Sequence, residues 1–194
     1  MARSIPLLAL AAALAACRTA AVLPEDLTER LAACPEGSPA RLHLDPGGAL
    51  ALVLPIQPVE LPPAARTGVE SAAPRGTTTF VGREWGPRGQ GYRVDKHYDV
   101  EGVEHTRSVL VDNQGQVLER VHSVPIAEVP EAVITTAARF GHAIERVEIV
   151  AGTAHVEHWR CLVTDRSGRH FVVRTGLDGT LLDRHRRLHT ELDG

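Results

Sequence analysis

The chain has 194 residues, 43% of them hydrophobic and 4% aromatic, and a formal charge of −3. This composition fits a globular protein of one domain or two small ones and excludes a disordered chain. The charge is too small to select acidic or basic partners, and the basic footprint of a nucleic-acid binder is missing.

Met1-Ala2-Arg3-Ser4 is a short positive start, and Ile5 to Ala16 is an apolar run. The run is shorter than the roughly 20 residues a transmembrane helix needs, and it has the shape of a secretory signal peptide. It ends Leu14-Ala15-Ala16-Cys17, which resembles the lipobox of bacterial lipoproteins. The resemblance implies that residues 1–16 are removed and that Cys17 is lipidated, so that acyl chains anchor the protein to the membrane. Arg18, rather than Asp, implies the outer membrane, facing the periplasm. Cleavage after Ala21, in Thr19-Ala20-Ala21, is the alternative.

Cys34 and Cys161 remain. Outside the cytoplasm a disulfide between them can persist, and it would add about 2–4 kcal/mol. Two independent buried thiols are the alternative.

Pro24 to Ala33 reads as a short helix, with Glu25 and Asp26 at its positive end and Leu27 and Leu31 on one face. Arg41 to Leu44 and Ala49 to Ile56 read as strands around the turn Asp45-Pro46-Gly47-Gly48. Pro55, Pro58, Pro62 and Pro63 make the next stretch extended. Ala64, Ala65, Val69, Ala72 and Ala73 give a weak helical stripe, which Gly68 weakens by about 1 kcal/mol relative to Ala. Thr77 to Val81 predicts a strand, and Gly82 to Gly91 an irregular loop around Trp85.

Tyr92 to Val100 is the clearest strand. Tyr92, Val94, Tyr98 and Val100 lie on one face, Arg93, Asp95, His97 and Asp99 on the other. Val103 to Val111 returns, and Asp112-Asn113-Gln114-Gly115 turns into Gln116 to His122.

The order then recurs. Pro130 to Phe140 predicts a helix with Val133, Ala137 and Phe140 on one face, and Gly141 suits a left-handed C-terminal position. Arg146 to Val150 turns Val147 and Ile149 inward. Ala154 to Val163 carries Trp159, Cys161 and Val163 on one face. His170 to Arg174 and Thr180 to His185 complete the set. Leu61-Pro62 answers to Val129-Pro130, and Gly115 to Arg120 answers to Gly179 to Arg184, an order expected of a duplicated unit.

These motifs resemble the periplasmic PepSY-like domains, related to propeptides of thermolysin-like proteases and to the tandem β-lactamase inhibitory protein. The match rests on Leu61-Pro62, Tyr92-x-Val94 and Asp112-Asn113-Gln114-Gly115-Gln116-Val117-Leu118. The second set is Val129-Pro130, Trp159-x-Cys161 and Asp178-Gly179-Thr180-Leu181-Leu182. The departures are Val before Pro130, Trp in the usual Tyr place, and a first helix burdened with Pro and Gly. The resemblance implies a periplasmic binding module, with inhibition of a peptidase or another enzyme as the family's precedent.

Candidate chemistry is sparse. His155-Val156-Glu157-His158 lacks the helical His-Glu-x-x-His spacing of a zinc protease. His185 and His189 sit in an Arg-rich tail. The hydrolase nucleophile elbow and the phosphate-binding glycine loops are absent from the sequence. Cys161 faces inward in its strand, where packing suits it better than catalysis. Asp95 and Asp99 share a strand face with Arg93 and His97, the pattern of a solvated face. Arg166, Arg169, Arg174, Arg184, Arg186 and Arg187 make the end of the chain basic, for an anionic envelope polymer or lipid, or as a solvated face. Trp85 is either a partner anchor or a plug for the core.

The expected fold is α+β, with two tandem modules, each one helix on an antiparallel sheet of about three to four strands. The expected segments are a signal peptide over 1–16, a tether with a short helix and hairpin over 17–57, and modules over 58–123 and 124–190. The expected function is non-enzymatic binding in the cell envelope, with no cofactor and no metal. The partner contact would be made by Trp85, Arg93, His97 and Asp99. The alternative is a structural envelope lipoprotein that binds surface polymer or assembles with itself.

Overall fold

Among the described residues, ten strands run antiparallel in sequence order and form one sheet. The computed structural model describes residues 29, 34, 40–44, 50–86, 88–153 and 156–186. The signal peptide, Cys17, most of the helix expected over Pro24 to Ala33, the turn 45–48, His155 and His189 lie outside the described residues. The strands are β1 (Arg41–Leu44), β2 (Leu50–Pro55), β3 (Thr77–Gly86), β4 (Gly89–Val100) and β5 (Val103–Val111). They continue with β6 (Val117–Val124), β7 (Ala143–Ala151), β8 (Val156–Thr164), β9 (His170–Thr175) and β10 (Leu181–Arg186). Helix α1 (Pro63–Ala72) connects β2 to β3, and helix α2 (Glu131–Ala138) connects β6 to β7.

The expected pair of tandem modules, each on its own small sheet, is corrected by this topology. β6 pairs directly with β7, Val121 opposite Val150 and Val124 opposite Val147. β2 likewise pairs with β3, so the first hairpin continues the same sheet. The reason is physical. A separate small sheet would leave unpaired N–H and C=O groups along its last strand. Here the α2 connection is short and lies over the sheet, so β7 follows β6 into place and takes up that edge.

Strand register puts both helices on one face. Val109 of β5 lies opposite Arg120 of β6, and Val124 of β6 lies opposite Val147 of β7. Arg120 and Val124 are an even number of residues apart, so they share a face. Under α1, Ala65, Val69 and Ala73 pack with Val81, Tyr92, Val94, Val109 and Val111. Under α2, Val133 and Ala137 pack with Val147, Trp159, Cys161, Val163 and Val173. The inward residues expected in β7, β8 and α2 are therefore in place.

Gly68 and Gly141 each sit where another part of the chain comes close. A Cβ on Gly68 would lie 2.1 Å from the Gly115 carbonyl oxygen, so α1 can lie against the β5–β6 turn only because residue 68 has no side chain. Gly141 is not left-handed, contrary to its expected capping role. Its added Cβ would lie 2.2 Å from Val163, so contact with β8 explains the glycine.

The irregular loop expected over Gly82 to Gly91 is also corrected. It forms the end of β3 and the start of β4, and Trp85 sits inside β3, opposite Leu52 and Gln90. Pairing with β2 holds this glycine-rich stretch in strand form.

Candidate functional site

The face without helices is the candidate site. Its floor is apolar: Leu110, Val121 and Val150 point to this side and are 0%, 2% and 1% exposed. No described helix lies over them. They are covered instead by a lattice of charged side chains.

Arg93 of β4 is the centre of the lattice. Its Nε donates to Glu84 Oε2 at 2.7 Å and its Nη2 to Glu84 Oε1 at 2.9 Å, a bidentate pair. Its Nη1 donates to Glu119 Oε1 at 2.8 Å. Strand spacing explains the reach, because Arg93 lies opposite Leu110, and Leu110 opposite Glu119. Further across the same face, Arg160 Nε pairs with Glu148 Oε2 at 2.6 Å, and Arg174 Nε donates to Asp183 Oδ2 at 2.6 Å.

The β3–β4 hairpin bends over this face. β5 ends at Val111 opposite Tyr92, so the hairpin before Tyr92 overhangs it. Gly91 allows the bend, since a Cβ there would lie 2.4 Å from the Val111 carbonyl oxygen. From the hairpin, Arg88 Nε donates to Glu119 Oε2 at 3.0 Å, and its guanidinium also pairs with Glu157 of β8. β8 is four strands beyond β4, about 19 Å away in a flat sheet. An arginine side chain does not span that gap, so the sheet and hairpin curl toward the helix-free side.

The lattice determines the local protonation states. Burial opposes the Arg93 charge, but Glu84 and Glu119 outweigh it and raise its pKa above the ordinary arginine value. Burial also favours neutral Glu119, but Arg93, Arg160 and Arg88 outweigh it and lower its pKa. The Arg88 hydrogen bond lowers that of Glu157. His158, on the same face, is shifted down by burial and by Arg174 and Arg160.

The four residues expected to meet a partner do not gather. Arg93 is in the lattice. Trp85 is on the opposite, helix-bearing side, 3% exposed, packed with Leu52, Leu54 and Cys34, which makes it a plug rather than an anchor. His97 is on the same side of β4 as Arg93 but farther along, with Nδ1 2.8 Å from Glu104 Oε1. Asp99 accepts the Gly102 N–H at 2.9 Å and shapes the β4–β5 turn. Along a strand His97 and Asp99 are about 14 and 20 Å from Arg93. Asp95, offered as half of a carboxylate pair, is engaged by Arg41 at 2.5 Å. Cys34 and Cys161 pack in separate clusters, one beside Trp85 and the other beneath α2.

Sequence reading passed over Glu84, Arg88 and Glu119, and weighed Glu157 only within a metal motif. Glu84 and Glu119 show only charge at alternate strand positions, Arg88 lies in a turn and Glu157 at a register shift, so their partners are identified only once the register is known. Lys96 was passed over as well. It lies on the helix face, 3% exposed, and its Nζ donates to Glu70 Oε1 at 2.7 Å and the Ala73 carbonyl at 2.8 Å.

Reactive groups are scarce. Cys161 is fully buried, and burial, then Glu148, push its thiol up to about 11, away from the nucleophilic thiolate. Among the described residues, no three His, Cys, Asp or Glu side chains gather to hold a metal ion. No described helix is long and apolar enough to cross a membrane.

No protein-family model matches the chain, and no curated protein does. Several solved structures are similar. A DUF2874 family protein of Bacteroides uniformis superposes with a TM-score of 0.50 at 17% identity, over 64% of this chain and 88% of that one. A candidate periplasmic protein of Bacteroides eggerthii gives 0.49 at 15% identity, over 64% and 88%. A BLIP-like protein of Bacteroides fragilis gives 0.46 at 16% identity, over 66% and 87%. The likeness is one of fold. The Bacteroides uniformis protein carries it, and at this identity it extends no further.

Proposed function

We propose that this chain is a non-enzymatic binding module of the bacterial cell envelope that receives a protein partner on its helix-free face. The supporting observation is the lattice of Arg93, Glu84 and Glu119 over a sealed apolar floor. Groups already fixed by ion pairs lose little freedom when a partner arrives. Alternating charges on a curled face then select a partner by complementarity. The envelope address rests on the signal-like N-terminus, with a lipid on Cys17 and the outer membrane as its finer form. Inhibition of a peptidase or another enzyme is the finer form of the function, and it rests on the sequence resemblance.

Photo-crosslinking in intact cells tests the reading. A crosslinker replaces His158 or Arg160 on the helix-free face, or Arg66 on the exposed side of α1. The expected result is a discrete protein adduct from 158 and 160 and none from 66. Adducts from 66 alone, or none from any position, overturn the reading. Assay of the purified protein against a panel of peptidases and β-lactamases tests the inhibitor form separately, and no inhibition anywhere would end it.

A further inference from the structure

A second site lies on the other side of the sheet, away from the lattice. The end of α2 and the β8–β9 turn enclose an open cleft of about 480 Å³, whose polar lining includes Arg139, His142, Asp165, Arg166, Ser167 and Arg169. We propose that this cleft binds a phosphate group, carried either by a small soluble molecule or by an anionic lipid headgroup.

Asp165 is the acid that lines the cleft. Both oxygens of Asp165 are occupied within its own turn. Oδ1 accepts from the Ser167 N–H at 2.8 Å, the Ser167 hydroxyl at 2.7 Å and the Arg169 N–H at 3.0 Å. Oδ2 accepts from Arg169 Nε at 2.7 Å. Asp165 therefore neutralises Arg169 and holds the turn in shape, with Gly168 in the left-handed region at φ 77°. Arg139 and Arg166 make no ion pair among the described residues, and both are exposed. The nearby Glu145 is engaged by the Thr164 hydroxyl and by His170.

A net two positive charges thus line one cleft, and Glu145 lies outside that lining, turned to Thr164 and His170. The carbonyl end of α2 opposes an anion, but its effective charge is about half an elementary charge. The two guanidiniums outweigh it. Guanidinium forks match phosphate oxygens in bidentate geometry, and His142 adds a ring nitrogen beside them. The backbone beneath the site is fixed, since the His142 N–H donates to the Thr164 carbonyl at 3.0 Å and Gly141 lies tight against β8.

The test uses the full chain and two probes. Inorganic phosphate is titrated while backbone amide shifts are followed by NMR. Vesicles of phosphatidylglycerol, with phosphatidylcholine as control, are tested for co-sedimentation. The variant is R139Q with R166Q, which removes only exposed charge, and R120Q is the control for charge loss elsewhere. An unchanged urea midpoint shows that the variant is folded.

The expected result is a saturable response at 139–142 and 165–169 that weakens about tenfold or more in the double variant and is unchanged in R120Q. A response to inorganic phosphate without vesicle binding assigns a soluble carrier. Phosphatidylglycerol binding lost in the double variant assigns a lipid headgroup. No saturable response to either probe, or one equal in the double variant, overturns the proposal. Neither outcome bears on the helix-free face, so the two sites fail or stand separately.

Discussion

Arg93 shows how one residue can hold a surface together. Its guanidinium satisfies two carboxylates, Glu84 and Glu119, that are themselves mostly out of water. Substituting Arg93→Ala leaves Glu84 near an apolar floor without its arginine and Glu119 with Arg88 alone, and breaking a buried pair costs about 3–5 kcal/mol. The pH dependence gives this a sign. Glu119 has a lowered pKa in the folded protein, so its contribution is present at neutral pH and fades as pH falls through the folded value. Without Arg93, only Arg160 and Arg88 oppose the burial of the same carboxyl, so its ionised form is less favoured and the variant recovers part of the deficit as the acid protonates. The deficit of Arg93→Ala is therefore largest at pH 7 and smaller at pH 4, as read from urea midpoints at the two values. An equal deficit at both would show that the loss is packing rather than charge. Lys96 makes a parallel case on the helix face. Lys96→Ala strands the Ala73 carbonyl at the end of α1 and leaves a void, for an expected loss of about 2–3 kcal/mol at an unchanged denaturant slope.

At the scale of elements, the contact between α1 and the β5–β6 turn has the most distinctive consequence. Glycine inside a helix is normally a weakness, and replacing it by alanine adds about 1 kcal/mol of stability. At Gly68 the sign reverses, because the new methyl would meet the Gly115 carbonyl and the overpacking costs about 1–3 kcal/mol. Thermal unfolding should show Gly68→Ala melting below the parent chain; a rise in Tm would mean that α1 stands farther off the turn than described. The elements themselves were largely legible in the sequence. Tyr92 to Val100 alternates over its whole length, and Val133 with Ala137 marks a helix face by spacing alone. The stretch from Gly82 to Gly91 was not legible, because its strand character comes from β2, a partner whose pairing local composition does not encode. The site was less legible than the fold. Arg93 was picked out for its outward position, but Glu84, Glu119, Arg88 and Glu157 converge on one surface only through the register of β3 to β8 and the overhang of a hairpin.

For the whole molecule, the decisive feature is the seam between β6 and β7. Sequence order alone suggested two tandem units, since each half has a helix, an apolar stripe and a closing turn. The seam joins the halves through backbone pairing from Arg120–Ala151 to Val124–Val147. The lattice joins them again, with Arg88 of the β3–β4 hairpin reaching Glu157 of β8. Unfolding either half would expose a strand edge, remove the cover from Leu110, Val121 and Val150, and break the pair between Arg88 and Glu157. Each loss is of kcal/mol order, comparable with the margin of a core of about 60 residues. The halves should therefore unfold together. Trp85 reports on one half and Trp159 on the other, so W159F and W85F variants each keep a single fluorescent probe. In each variant the fluorescence transition in urea should coincide with the loss of strand signal by circular dichroism, the mark of a single cooperative step. A fluorescence midpoint separated from the circular dichroism midpoint in either variant would show that the seam does not couple the halves. The shared helix-free face would then be two surfaces rather than one.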